Sequence, residues 1–188
     1  MNKKNSTIVI DAMGGDNSPF KTLKGIELFL KKYDDVDIVL FGDEENIIKT
    51  LNKNKINLIN YKIINTINNI QNDDSPSTIL RNRKESSISK GLEYVNQLSN
   101  SGFVSAGNTG AIMILSKLKL GMLEGIDRPA ICSLIPNINN YSIMLDLGAN
   151  VISEAKHLFQ FALMGFCYHS IVKPNIVPKL GIINIGTE

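Results

Sequence analysis

The chain has 188 residues, a formal net charge of +2, 43% hydrophobic and 20% charged residues. That length fits one domain, residues 1–188, burying roughly 70% of its unfolded surface. The composition excludes disorder, and near-neutral charge with 6% aromatic residues argues against nucleic-acid binding.

Short β-branched runs predict strands over 7–10, 36–41, 56–61, 102–105, 130–135, 142–147 and 180–185. Helices are expected to start near Pro19, Glu44, Pro76, Thr109 and Ser153. Ser18-Pro19 and Ser75-Pro76 each place a capping hydroxyl before a proline at the first helical position. Residues 62–74, polar and rich in Asn, read as a long loop. Continuous apolar strands separated by helices imply βαβ units, hence a layered α/β domain with a mainly parallel sheet.

The chemistry collects at strand ends. After the first strand comes Asp11-Ala12-Met13-Gly14-Gly15-Asp16, opening the first long helix. Paired glycines permit positive φ and close backbone approach. A helix N-terminus offers N–H donors and a positive dipole end to an anion. The segment lacks the dinucleotide and Walker spacings, and a tight turn with a satisfied Asp pair is the plainer alternative. The sequence Ser105-Ala106-Gly107-Asn108-Thr109-Gly110 repeats the arrangement, with Asn108 and Thr109 adding side-chain donors suited to phosphate or a developing oxyanion. Asp146-Leu147-Gly148-Ala149-Asn150 and Asn184-Ile185-Gly186 close two further strands. Four such ends point to one shared crevice.

Positive charge is available from Arg81, Arg83, Lys84 and Arg128, as an anion-binding set or as solvated faces, with Arg128 alternatively pairing with Asp127. His157 and His169 lack metal spacing, which suits capping, and Met144, Met164 and Phe161 read as core. Cys132 and Cys167, with no C-x-x-C, read as buried reduced thiols of a cytosolic protein. No apolar run reaches the ~18 residues of a membrane span, and the polar N-terminus is no signal peptide.

In chain order, IDAMGGDNSP, RNRKESS, SAGNTGA, GIDRPAI, DLGAN, HLFQFALMG and NIG closely resemble the bacterial phosphate acyltransferase family of phospholipid synthesis, from about Ile8 onward. The resemblance implies a three-layer α/β/α sandwich similar to phosphotransacetylase and, distantly, the isocitrate dehydrogenase group. It implies acyl transfer from acyl carrier protein to inorganic phosphate, yielding acyl phosphate for a membrane glycerol-3-phosphate acyltransferase. It further implies a cytoplasmic or membrane-peripheral homodimer without metal or organic cofactor. Gly14, Gly15, Gly107, Asn108, Thr109 and Gly110 would cradle phosphate or the oxyanion. Asp11, Asp16, Asp146 and Asn150 would orient the loops or bind the reacting group, with Ser105 and Asn184 among the binding residues. Arg83, Lys84 and Arg128 would meet phosphate or the acidic carrier.

Family members are much longer, so the chain is expected to be the N-terminal portion of the family fold, truncated at its C-terminus. Thr187 replaces the first Glu of an N-I-G-E-E segment, and Ala155-Lys156 replace Pro-Glu before His157. Two other readings stay open. One is a non-catalytic remnant or a half-enzyme needing a separate C-terminal partner. The other is a phosphate acetyltransferase-like enzyme using acyl-CoA.

Overall fold

A computed structural model describes residues 6–71, 73–138 and 140–184, apart from the side chains of Asn82 and Arg83. The chain falls into two compact units, Met1–Gly121 and Met122–Glu188.

The first unit is built on four parallel strands: β1 (Ser6–Asp11), β2 (Val36–Gly42), β3 (Tyr61–Asn65) and β4 (Ser101–Val104), ordered β3-β2-β1-β4. Alternate residues of the apolar runs serve opposite faces. Ile10, Ile38 and Leu40 pack with Leu23, Ile26 and Leu30 of α1 (Phe20–Leu30) and Ile47 and Leu51 of α2 (Glu44–Asn54). Val9, Val39 and Phe41 face the other way, against Tyr94 and Val95 of α4 (Ser87–Val95). Beyond them Ile88 and Leu92 of α4 meet Ile79 of α3 (Pro76–Asn82) and Ala111 and Leu115 of α5 (Thr109–Leu120). The three layers and the parallel sheet are those expected.

Local chemistry sets the element ends. Asp43 accepts from Asn46 N at 3.1 Å to cap α2, and Lys55 closes it in the left-handed region at φ 52°. Ser75 accepts from Thr78 N at 3.3 Å at the start of α3. Ser18 departs from expectation: its hydroxyl donates to the carbonyls of Met13 and Gly15, and Pro19, the N-cap of α1, has no side-chain cap bond. The third strand also differs, forming at Tyr61–Asn65 rather than 56–61. Ile56 and Leu58 are buried as irregular chain, and Asn60 at φ 51° precedes the strand that pairs with β2. Apolar character there reported burial, not pairing, and the polar loop begins only at Thr66.

The second unit holds an antiparallel hairpin, β5 (Cys132–Pro136) with β6 (Tyr141–Leu145), and α6 (Ala155–Val172). A Cβ on Gly165 of α6 would lie 3.1 Å from Leu145. Glu154 and His157 form a capping box, with Glu154 N donating to His157 Nδ1 at 3.1 Å. Phe161 is buried, but Phe159 is 71% and Ile171 78% exposed. The expected strand at 180–185 is not formed over residues 180–184, and residue 185 lies outside the described residues. A strand needs a neighbour for its ladder, and this segment pairs with no described strand. Cys132 and Cys167 are free but exposed, not buried, on β5 and on the broadly exposed α6. Among the described residues no helix is long and apolar enough to cross a membrane.

Candidate functional site: two interlocked glycine loops

Asp11 ends β1, and Ser105 follows β4. Parallel pairing of Ile10 with Val104 brings the two loops side by side. Ser105 Oγ donates to Asp11 Oδ2 at 2.7 Å and accepts from Gly107 N at 3.0 Å. Asp11 Oδ1 accepts from Met13 N at 3.1 Å. The carboxylate is buried, so these bonds offset its desolvation while fixing both loops.

Glycine is required where the loops touch. A Cβ on Gly14 would sit 2.5 Å from Asp11 Oδ2, 2.7 Å from Gly107 N and 2.9 Å from Ser105 Oγ. Gly15, at φ +83°, would place one 2.9 Å from Ala106 O. Asp16 is exposed beside them.

Asn108 occupies the N-cap of α5, its Oδ1 accepting from Ala111 N at 2.9 Å. Its amide donates to Gln71 O at 3.2 Å and Asp74 O at 3.4 Å. Gln71 N in turn donates to Asp74 Oδ2 at 2.8 Å. The polar loop after β3 is thereby latched to the second glycine loop. Thr109 and Gly110 form the exposed first turn of α5, whose positive dipole end faces this loop. A cavity of about 580 Å³ opens at Asp11, Gly14, Gly15, Asp16, Ser105 and Ala106.

Lys84 is exposed, in the 3-10 turn Arg83–Glu85, and the Arg83 side chain lies outside the described residues. In the second unit Asp146 is the hub of its own turn. Its oxygens accept from Ile131 N, Ala149 N, Asn150 N and Asn150 Nδ2, at 2.9–3.1 Å. Burial pushes this carboxyl up, but the hydrogen bonds, that of the Asn150 side chain foremost, outweigh it and hold the group below the usual range. Asn150 Nδ2 also donates to Pro129 O at 2.9 Å. Arg128 donates to Ile152 O at 3.0 Å, while Asp127 pairs with Lys156 at 2.7 Å. Asn184 lies in exposed coil.

Sequence reasoning singled out the two loops of the first unit, and the structure brings them together. It missed the Asn108 latch to Gln71 and Asp74. An Asn before a helical run signalled the cap, but no local signal named the distant carbonyls.

The layered parallel sheet with glycine loops at its strand ends is an α/β fold shared with a solved phosphotransacetylase. The EutD phosphotransacetylase from Staphylococcus aureus superposes with a TM-score of 0.63 over 89% of this chain and 53% of that one, at 18% identity. Residues 6–188 match the family described as fatty acid synthesis protein, and the chain belongs to it. It is similar to the phosphate acyltransferase of Thermoanaerobacter pseudethanolicus, 40% identical over 181 residues, 96% of this chain and 53% of that protein. That of Magnetococcus marinus is 41% identical over 181 residues, covering 96% and 52%. That of Rhodospirillum rubrum is 40% identical over 185 residues, covering 98% and 53%. The chain thus spans about half the length of these curated relatives.

Proposed function

We propose that the chain carries the phosphate-binding part of an enzyme that transfers a fatty acyl group from acyl carrier protein to inorganic phosphate. The observation that carries this is the interlock at Gly14. Two glycine loops meet at 2.5–2.9 Å of a hypothetical Cβ, beside the N-terminus of α5, in a chain about 40% identical to phosphate acyltransferases.

Phosphate is the nucleophile. One of its oxygens attacks the thioester carbonyl carbon, the C–O π pair moves onto oxygen, and the oxyanion collapses with cleavage of C–S. The products are acyl phosphate and the carrier thiolate. A thiol with a pKa of about 8.5 leaves with little acid assistance, so the protein needs to position phosphate and stabilise the oxyanion. The Gly14-Gly15 loop and the turn from Gly107 through Gly110 hold the anion against the α5 dipole. Asp11 and Ser105 act as positioning residues, because their polar atoms bind the loops themselves. Asp146 and Asn150 act through the turn they hold.

Arg83 and Lys84 supply charge toward phosphate or the carrier, and Asp16 joins the binding residues of the first unit. In the second unit Arg128 and Asn184 are further candidates for contact with phosphate or the carrier. The acyl phosphate passes to a membrane glycerol-3-phosphate acyltransferase. The exposed apolar side chains of α6 suit a homodimer.

The test is phosphate-dependent thiol release from acyl-[acyl-carrier-protein] by the purified chain. Saturation with phosphate is the expected result if this half suffices. No release by a folded chain that binds phosphate would assign the remaining chemistry to the other half of the longer relatives. No phosphate binding would sink the proposal.

A further inference from the structure

The cavity that opens at the glycine loops is apolar away from its mouth. It runs beneath α1, with Ile8, Ile10 and Val104 from the sheet and Ile26 and Phe29 from the helix on its walls. Strand register explains the gap. Ile8 pairs with Gly102 and Ile10 with Val104, so the α1 side of β4 carries one glycine and one valine.

Across from them α1 carries Gly25, which also lines the cavity. A Cβ at Gly25 or at Gly102 would meet no atom within 4 Å. Glycine is disfavoured inside helices and strands. Here neither close approach nor positive φ accounts for it, in contrast to Gly15 at φ +83°. Gly25 borders open space continuous with the anion loops, and its volume suits a small-molecule chain. Gly102 lies beside the lining Ile8, on the same side of β4 as the lining Val104.

We propose that this cavity holds the hydrocarbon chain of the acyl substrate, with the reacting carbonyl at the mouth beside Gly14 and Ser105. The inference rests on the phosphate acyltransferase reading and adds to it where the chain lies. Gly25 and Gly102 are then specificity-determining positions: side chains there shorten the space available to the substrate.

The probes are inorganic phosphate and butyl, octyl and dodecyl phosphate, each kept below its micelle concentration and titrated calorimetrically into the full chain. Affinity should rise with chain length, by roughly fourfold for each methylene that becomes buried. Gly25→Leu and Gly102→Val place side chains into open space on elements that accept them, so both variants should fold. Each should weaken dodecyl phosphate by the worth of about two methylenes, roughly fifteenfold, with inorganic phosphate as the control for the anion loops.

Phosphate binding without any gain from chain length overturns the proposal, as when polypeptide covers the groove. So does a gain that both variants leave intact, which would place the chain elsewhere. A chain-length gain lost in the variants, without binding of inorganic phosphate, supports the groove and counts against the anion site. Binding of none of the probes counts against both.

Discussion

Ser105 Oγ donates to Asp11 Oδ2 at 2.7 Å across 94 residues of sequence, joining the ends of two neighbouring parallel strands. The same oxygen accepts from Gly107 N at 3.0 Å, so one hydroxyl couples the buried carboxylate to the second glycine loop. Ser105→Ala removes both bonds and leaves Asp11 short of a partner. Leaving a buried polar group unsatisfied costs about 1–3 kcal/mol. Urea unfolding should register that loss, and phosphate affinity should fall with it.

Gly14→Ala tests the interlock against a matched control. Its new methyl meets Asp11 Oδ2 at 2.5 Å and the backbone N of Gly107 at 2.7 Å, so the loops must part. Overpacking of this kind costs about 1–3 kcal/mol. If about 1.4 kcal/mol of it falls on the binding geometry, phosphate affinity drops tenfold. Gly25→Ala, in open space on α1, should instead stabilise the chain by about 1 kcal/mol. Thermal unfolding of the two variants should move in opposite directions.

Asn108 separates capping from anion binding. Asn108→Asp keeps an N-cap acceptor for Ala111 N, but sets a carboxylate against the Gln71 and Asp74 carbonyls and the expected phosphate. The fold should survive while phosphate binding is abolished. Asn108→Ala loses the cap, at about 1 kcal/mol, and releases the latch. Hydrogen exchange of Gln71 N and its neighbours should then accelerate. Unchanged exchange there would show that the latch does not hold the loop.

Asp146 makes stability depend on acid. Burial raises its carboxyl and the hydrogen bonds led by Asn150 lower it further, so its pKa in the folded chain lies below the ordinary value. The stabilisation it gives is present above the unfolded-state pKa of about 3.9 and is lost as pH falls through the folded-state value. Asp146→Asn should cost about 1–3 kcal/mol near neutrality, because an amide nitrogen cannot accept from Asn150. The difference from the parent should shrink in denaturant unfolding below about pH 4.

The layered sheet was legible because β1 and β2 are apolar on both sides, as parallel strands covered by helices must be. The first-unit loops were legible because glycine pairs and a capping Asn mark strand-to-helix junctions. Strand order was not written locally. Nothing in residues 102–105 says that β4 lies beside β1, so the Ser105–Asp11 bond could not be foreseen. The β3 error has the same origin, since Ile56 and Leu58 are core residues without being strand residues. The expected strand at 180–185 failed over its described residues because apolar character alone does not supply a neighbour. Ser18 does not cap α1, because its hydroxyl is held by the turn it closes.

The most direct measurement is a titration of inorganic phosphate into the ¹⁵N-labelled chain, followed by the backbone amide resonances. Saturable shifts at Gly14, Gly15 and Gly107 through Ala111, lost in Gly14→Ala, are the expected result. Phosphate that moves none of these amides in the folded chain would contradict an anion site at the interlocked loops.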